Sequence, residues 1–452
     1  MRTSVTRSYF RGLTSAMLER TGAEMGRRYR QVHRVWVEQG TQGVQDWLQR
    51  ALADRIAPTS TPLEVRPADV LSADIRVRRS WPPLLFDGKG PLVVNWVMAP
   101  PVAGSGGHTT IFRLIEYLEQ TGNVCRVYLY DVYGGDAAYY SHRVRRDFPR
   151  FNGEIHDAAG GMADAHAVVA TAWPTAYSVF NDRCRGMRFY LVQDFEPWFH
   201  PPGARNVLAE HTYRMGFHAI TAGRFLAEKL RAEYGMTADS FDFGCDSAYH
   251  IVNRDGVRDG VVFYAKPDVP RRAFELGVMA LQLFAERHPH IAIHFYGARV
   301  GTLPFPFKDH GLLRPSELNG IYNRCFAGLS LSMTNVSLVP HEMLSAGCIP
   351  VVNDAEHNRI VLNNSFVRYA LPTPHALADA LSDVVSTDNF VALATSASSS
   401  VSSASWEEAG RIVATALRRS VTAYAEDQPQ DQAMARSPSV GVRTEGGHRI
   451  NL

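Results

Sequence analysis

Residues Gly328 to Asp354 read GLSLSMTNVSLVPHEMLSAGCIPVVND, and this order of residue types predicts strand, loop, short helix and strand. Ala327 to Met333 is a small, apolar run suited to a buried parallel strand, and Thr334 to Ser337 are turn and cap residues. Pro340 suits a first helical turn, where its missing N–H is not needed, and Gly347 ends the helix as a C′ residue. CIPVVND then makes a second buried strand that stops at Asn353 and Asp354. The crossover is too short for a full-length helix, so a helix N-terminus sits at the carboxyl edge of a parallel sheet. Free N–H groups around Ser337, Leu338, Val339 and His341, with the positive end of the helix dipole, suit an anion there, above all a phosphate. Glu342, on the first turns of this helix, either accepts hydrogen bonds from ligand hydroxyls or merely favours the dipole.

A chain of 452 residues supports two to three domains, each with its own core. Hydrophobic residues make up 45% and charged residues 20%, with a formal net charge of +2, so nothing global points to nucleic acid. The cysteines at 125, 184, 245, 325 and 348 lack CxxC spacing and read as reduced core thiols, not as a zinc site. No apolar run approaches the ~20 residues of a membrane span, and MRTSVTRSYF lacks the apolar core of a signal peptide, so a cytoplasmic location is expected.

Residues 1–60 read as a helical extension whose arginines crowd one face, a pattern that fits either anionic lipid head groups, and so peripheral membrane contact, or simple solvation. A Pro/Ser/Thr-rich linker is expected over residues 61–90. From Pro91 the chain alternates apolar runs with helical patterns, which predicts a doubly wound α/β domain over residues 91–243. Its first loop carries Gly106 and Gly107, which allow close backbone approach of a ligand but lack the spacing of a dinucleotide site. His108 opens the next helix, as a substrate contact or as a capping or solvent-facing histidine. The loop QDFEPWFHP gathers Asp194, Glu196 and Trp198 at the carboxyl end of a strand, which suits a sugar's hydroxyls and its C–H face; an aromatic-anchored structural loop reads equally from the same residues.

A second α/β domain is expected over residues 244–400. The loop after its first strand holds Lys266, Arg271 and Arg272, stiffened by Pro267 and Pro270; three cations so crowded either call for an anion, for which a diphosphate is the natural candidate, or are simply solvated loop charges. Two amphipathic helices separated by the serine-rich TSASSSVSSAS close the folded part, the second over residues 401–423 and crossing back to the first domain. The tail over 424–452 has few large apolar residues and is expected to be disordered.

These features together resemble family 4 glycosyltransferases of the GT-B fold: two Rossmann-like doubly wound domains facing a cleft. The family's E-x7-E motif places its second glutamate on Glu342 and its first on Thr334, and AGCIPVV matches the small-Gly-Pro strand that follows. Threonine at the first position departs from the family and implies a different hexose or a deoxy sugar at that contact. The family's diphosphate-gripping cations fall on Lys266 and Arg272, with Arg271 the substitute, and FDFGCD resembles the segment that joins the domains. SGGHTTIFRLIEYLE, VQDFEPWFHP and YAKPDVPRRAFELG resemble the rhamnosyltransferase WsaF subgroup.

The resemblance implies retaining transfer of a sugar, rhamnose from dTDP-L-rhamnose, to a glycan or lipid-linked glycan, with no metal and no cofactor beyond the nucleotide-sugar substrate. It implies a donor site of Thr334, Ser337, Leu338, Val339, Glu342, Arg271 and Gly297, with Lys266 and Arg272 stabilising the departing diphosphate. The acceptor would lie over Gly106, Gly107, His108, Glu196 and Trp198, with Asp194 orienting or deprotonating its hydroxyl. A catalytically silent sugar-nucleotide or glycan-binding protein of the same fold is the alternative.

Overall fold

Apolar runs that break off at glycine, proline or polar residues become strands whose carboxyl ends share an edge, and two such edges face each other. The computed structural model describes residues 63–101, 105–134, 137–252, 257–336 and 338–426. The helical extension expected over 1–60, with its membrane reading, lies outside the described residues, as do Ser337 and the tail beyond Glu426.

The first sheet contains Val93–Met98 (β1), Val124–Leu129 (β2), Glu154–Asp157 (β3), Ala167–Ala170 (β4), Met187–Val192 (β5), His218–Ala222 (β6) and Ala238–Phe241 (β7). All pair in parallel, in the order β3-β2-β1-β4-β5-β6-β7. Every residue of β4 is buried, which is why its sequence is a continuous apolar run with no alternation. The helices are Pro67–Ser72 (α1), Gly106–Gln120 (α2), Ala137–Asp147 (α3), Trp173–Asn181 (α4), Ala204–His211 (α5) and Arg224–Tyr234 (α6).

Gly260–Tyr264 (β8), Ala292–Tyr296 (β9), Lys308–Asp309 (β10), Cys325–Leu329 (β11), Ile349–Asn353 (β12) and Arg368–Ala370 (β13) form a second parallel sheet, ordered β10-β9-β8-β11-β12-β13. Phe274–Arg287 (α7), Pro315–Arg324 (α8), Val339–Ser345 (α9), Glu356–Leu362 (α10), Pro374–Val385 (α11) and Phe390–Ser399 (α12) surround it. Strand order reverses direction between β1 and β4 in one sheet and between β8 and β11 in the other, and doubly wound sheets bind ligands at such points.

Two expectations change. The linker expected over 61–90 is, from residue 63, a strap on the first sheet. Val65 and Trp81 are buried, Arg66 Nη2 donates to the Asp131 carbonyl at 2.6 Å, and the Arg188 guanidinium lies 5.0 Å above the Trp81 ring. The first five residues of the serine-rich spacer, Thr395–Ser399, end a helix over Phe390–Ser399, while 400–405 stay a connection: Asn389 caps the helix, and the Thr395 and Ser399 hydroxyls donate back to carbonyls four residues earlier at 2.9 Å. Ala394 and Ala397 are its buried face, so small residues that looked like a spacer are a packing surface.

The chain crosses between the halves at 242–248 and returns at 400–406, after which Trp406–Glu426 (α13) packs on α2 and β7 of the first half. The crossings touch: Cys245 N donates to the Ala404 carbonyl at 3.0 Å, and a Cβ on Gly244 would lie 2.7 Å from Ser405 C and Trp406 Cα. Gly244→Ala is expected to push the crossings apart and lower stability by about 1–3 kcal/mol, read as a lower urea midpoint.

Candidate functional site

β8 delivers its loop at the switch point of the second sheet. Lys266 follows Tyr264 and Ala265, with its Nζ 5.7 Å from the Tyr264 ring centre. Pro270–Arg272 form a 3₁₀ turn, and Ala273 next to it has φ 46°, left-handed backbone that costs a non-glycine residue roughly 1–2 kcal/mol. Of the two arginines in this turn, Arg271 is the one that reaches the first half. The Arg271 guanidinium lies 4.2 Å over the Phe199 ring, and Arg272 Nη1 donates to Ser332 Oγ at 2.8 Å. Burial, and after it the like charge of Arg272, hold Arg271 below its ordinary range, a strain an anion between them would relieve.

The loop after β11 is the other wall. Thr334 and Asn335 are 1% exposed, so Thr334 touches no ligand. Its hydroxyl donates to Asp194 Oδ2 at 2.9 Å, while Asn335 N and Phe195 N donate to Asp194 Oδ1 at 2.8 and 2.9 Å. The Arg271 Nε lies 3.7 Å from Oδ2. Burial raises the Asp194 carboxyl, and these donors and cations oppose the rise. With both oxygens engaged, Asp194 is a tie between the halves and not the acceptor-orienting group expected of it.

Leu338 precedes α9 without a side-chain cap, and Val339 and Pro340 open the helix. Glu342 is half-buried beside a tyrosine group in which the Tyr296 and Tyr322 hydroxyls are 2.6 Å apart. Burial, then the charge of Asp246, push the Glu342 carboxyl up to about 8, against a hydrogen bond from Tyr322. Asp246 in turn is paired with Arg113 of α2, so a cation of the first half reaches the carboxylate beside Glu342. The glycine requirement at Gly297 is steric: φ is 99° and a Cβ would lie 2.9 Å from the Tyr264 ring.

On the first half, Gly106 and Gly107 are exposed, and Gln193 Nε2 donates to the Gly107 carbonyl at 3.2 Å. The cap of α2 is Ser105, whose hydroxyl accepts the His108 N–H, and the His108 ring folds back on it, its nitrogens 3.0 Å from Ser105 Oγ and 3.3 Å from the Ala99 carbonyl. Trp198 is 42% exposed at the seam, 6.4 Å from both the Phe225 and His357 rings. Glu196, expected to face an acceptor, points inward. It is 5% exposed, its Oε2 accepts the Trp173 N–H at 2.5 Å at the start of α4, and burial pushes it up to about 8.

Arg271, Arg272, Asp194 and Thr334 therefore meet, while Glu196 is drawn away. Ser332, Asn335, Phe199, Arg113 and Asp246 join them without having been singled out. Asn335 beside Thr334 looked like a turn residue, and its long-range partners leave no local signature.

Two opposed doubly wound sheets with the cations and a glutamate helix at one switch point define the GT-B fold. TarM matches at a TM-score of 0.60 and 8% identity over 74% of this chain and 100% of its own. Anabaena Alr3699/HepE in complex with UDP and glucose matches at 0.57 and 14%, over 73% of this chain and 100% of its own. At such identities the likeness is one of fold. In sequence, residues 259–382 match the family described as WsaF, C-terminal domain. The O-antigen biosynthesis protein RfbC of Myxococcus xanthus is 35% identical over 250 residues, 53% of this chain but 20% of RfbC, so the chain spans about a fifth of that curated relative's length.

Glu196 and Glu342 each rise from an ordinary 4.5 to about 8. Between those values the native state holds protons the unfolded chain has lost, so stability is expected to fall as pH rises through the window. Urea midpoints taken from about pH 5 to about pH 8 check this, and Glu196→Gln should flatten the slope.

Proposed function

We propose that the protein is a retaining glycosyltransferase that moves a sugar, L-rhamnose from dTDP-L-rhamnose, to a glycan or lipid-linked glycan acceptor of a cell-surface polysaccharide. The observation that carries this reading is that one loop at the switch point of the second sheet holds Lys266, Arg271 and Arg272, and that Tyr264 at its start, beside Lys266, feels the charges of Arg272, Glu342 and Arg271. The match of residues 259–382 to the WsaF C-terminal domain and the likeness to an O-antigen biosynthesis protein support it.

As the bond from the sugar's anomeric carbon to the diphosphate breaks, negative charge grows on the leaving oxygens. Lys266 and Arg272 stabilise that charge, with α9 adding the positive end of its dipole. The acceptor hydroxyl attacks from the same face and gives its proton to the departing phosphate, which yields retention without a protein nucleophile. This route suits a site in which Asp194 is already engaged. Glu342, ionised, accepts from the 3′-hydroxyl of the donor's deoxyribose. The acceptor enters over Gly106, Gly107 and Trp198.

Arg272→Ala is expected to lower turnover on the order of 10²-fold with its melting temperature held, in a radiolabelled transfer assay with dTDP-L-rhamnose and an extracted glycan pool. Tight donor binding with no turnover on any glycan pool would favour a silent binding protein instead. Glu342→Ala should weaken dTDP binding by about 1.5–3 kcal/mol. Because the carboxylate accepts the 3′-hydroxyl best when ionised, wild-type affinity should climb as pH rises through about 8. Glu342→Gln should show no such climb by calorimetry.

A further inference from the structure

Arg272 is joined to the first half by an unbroken hydrogen-bonded chain. Its Nη1 donates to Ser332 Oγ at 2.8 Å, and that hydroxyl donates to the Asn335 carbonyl at 2.5 Å. The Asn335 N–H donates to Asp194 Oδ1 at 2.8 Å, and its side-chain amide donates to the carbonyls of Gln193 and Ala222, each at 2.9 Å. The direction of the chain is forced. A guanidinium can only donate, so Ser332 must accept from Arg272 and place its single proton elsewhere, and Asn335 O is where it goes. Ser332 and Asn335 are 3% and 1% exposed, so neither can touch a ligand.

We propose that Asn335 is a positioning residue that makes the cationic grip depend on docking of the two halves. Pinned to the ends of β5 and β6, Asn335 holds the loop after β11 so that the Ser332 hydroxyl faces Arg272. When the halves part, Asn335 loses its three partners across the seam; the Ser332 backbone stays held by Asn353 within the second half, but the carbonyl that takes its hydroxyl proton, and so aims the oxygen at Arg272, is no longer fixed. By reciprocity a diphosphate that engages Arg272 favours the docked arrangement. Arg271 follows the same logic through a separate contact, because its orientation comes from Phe199 of the first half. The inference rests on Arg272 being the diphosphate grip.

The test is calorimetric titration of the full chain with dTDP, alongside melting curves without ligand, for Asn335→Ala, Ser332→Ala, the double variant and Arg272→Ala. Each single variant is expected to weaken dTDP about tenfold, and the double no more than either single: Asn335→Ala keeps the backbone links but removes the side-chain anchors to Gln193 and Ala222 that fix the acceptor carbonyl, and Ser332→Ala removes the hydroxyl that uses it. Losses that multiply in the double variant overturn the proposal. So do unchanged affinities in Asn335→Ala and Ser332→Ala when Arg272→Ala loses dTDP, and a fall in melting temperature alone marks a merely structural role. An unchanged affinity in Arg272→Ala removes the diphosphate grip itself, and the positioning role with it. Ser332→Ala deletes one oxygen and keeps the test valid if Asn335→Ala does not fold.

Discussion

A carboxylate taken out of water must be met by donors, and the donors that meet Asp194 come from both halves. Phe195 supplies an N–H from its own loop; Thr334 and Asn335 supply a hydroxyl and an N–H from the opposite one. Sliding the seam by one residue would leave a buried charge unmatched, at a cost larger than most surface contacts return. The register of the seam follows from this one group. So do the seat of Arg271 on Phe199 and the meeting of α6 with α10, where Gly223 has room for no Cβ against Val361.

The strands were legible because parallel sheets buried on both faces demand continuous apolar runs, as AVVA at β4 and IPVVN at β12 display. The short crossover was legible from Pro340 and Gly347, and the cationic loop from three charges between two prolines. What sequence could not carry was pairing at a distance. Asp194 and Thr334 are 140 positions apart, and nothing local distinguishes a carboxylate tied to the far half from one free to work on a substrate. Glu196 sits two residues further on and turns inward because the start of α4 needs an acceptor, a need invisible without the fold. The serine-rich helix misled for a related reason, since hydroxyls that bond carbonyls four residues back behave as quiet helix residues.

The cleft is electrically lopsided. Arginines stand on the β8 side, while Glu342 and Asp246 face them with tyrosines behind. Arg113 covers Asp246 but leaves Glu342 in a setting that resists ionisation. A ligand carrying both a diphosphate and a free sugar hydroxyl would meet each of these groups with its complement.

The last described helix, α13, belongs in space to the first sheet. Gly410 sits where a Cβ would run into the Tyr117 ring, Arg419 reaches Asp239, and the Tyr424 hydroxyl donates to the Trp81 carbonyl 343 positions earlier. During synthesis the first half therefore waits, with one face of α2 uncovered, until the ribosome has made nearly all of the second. Cutting the chain at the crossing would not yield two autonomous pieces: the amino-terminal fragment would lack its closing helix, and the carboxyl-terminal fragment would carry an apolar stripe with nothing to cover it.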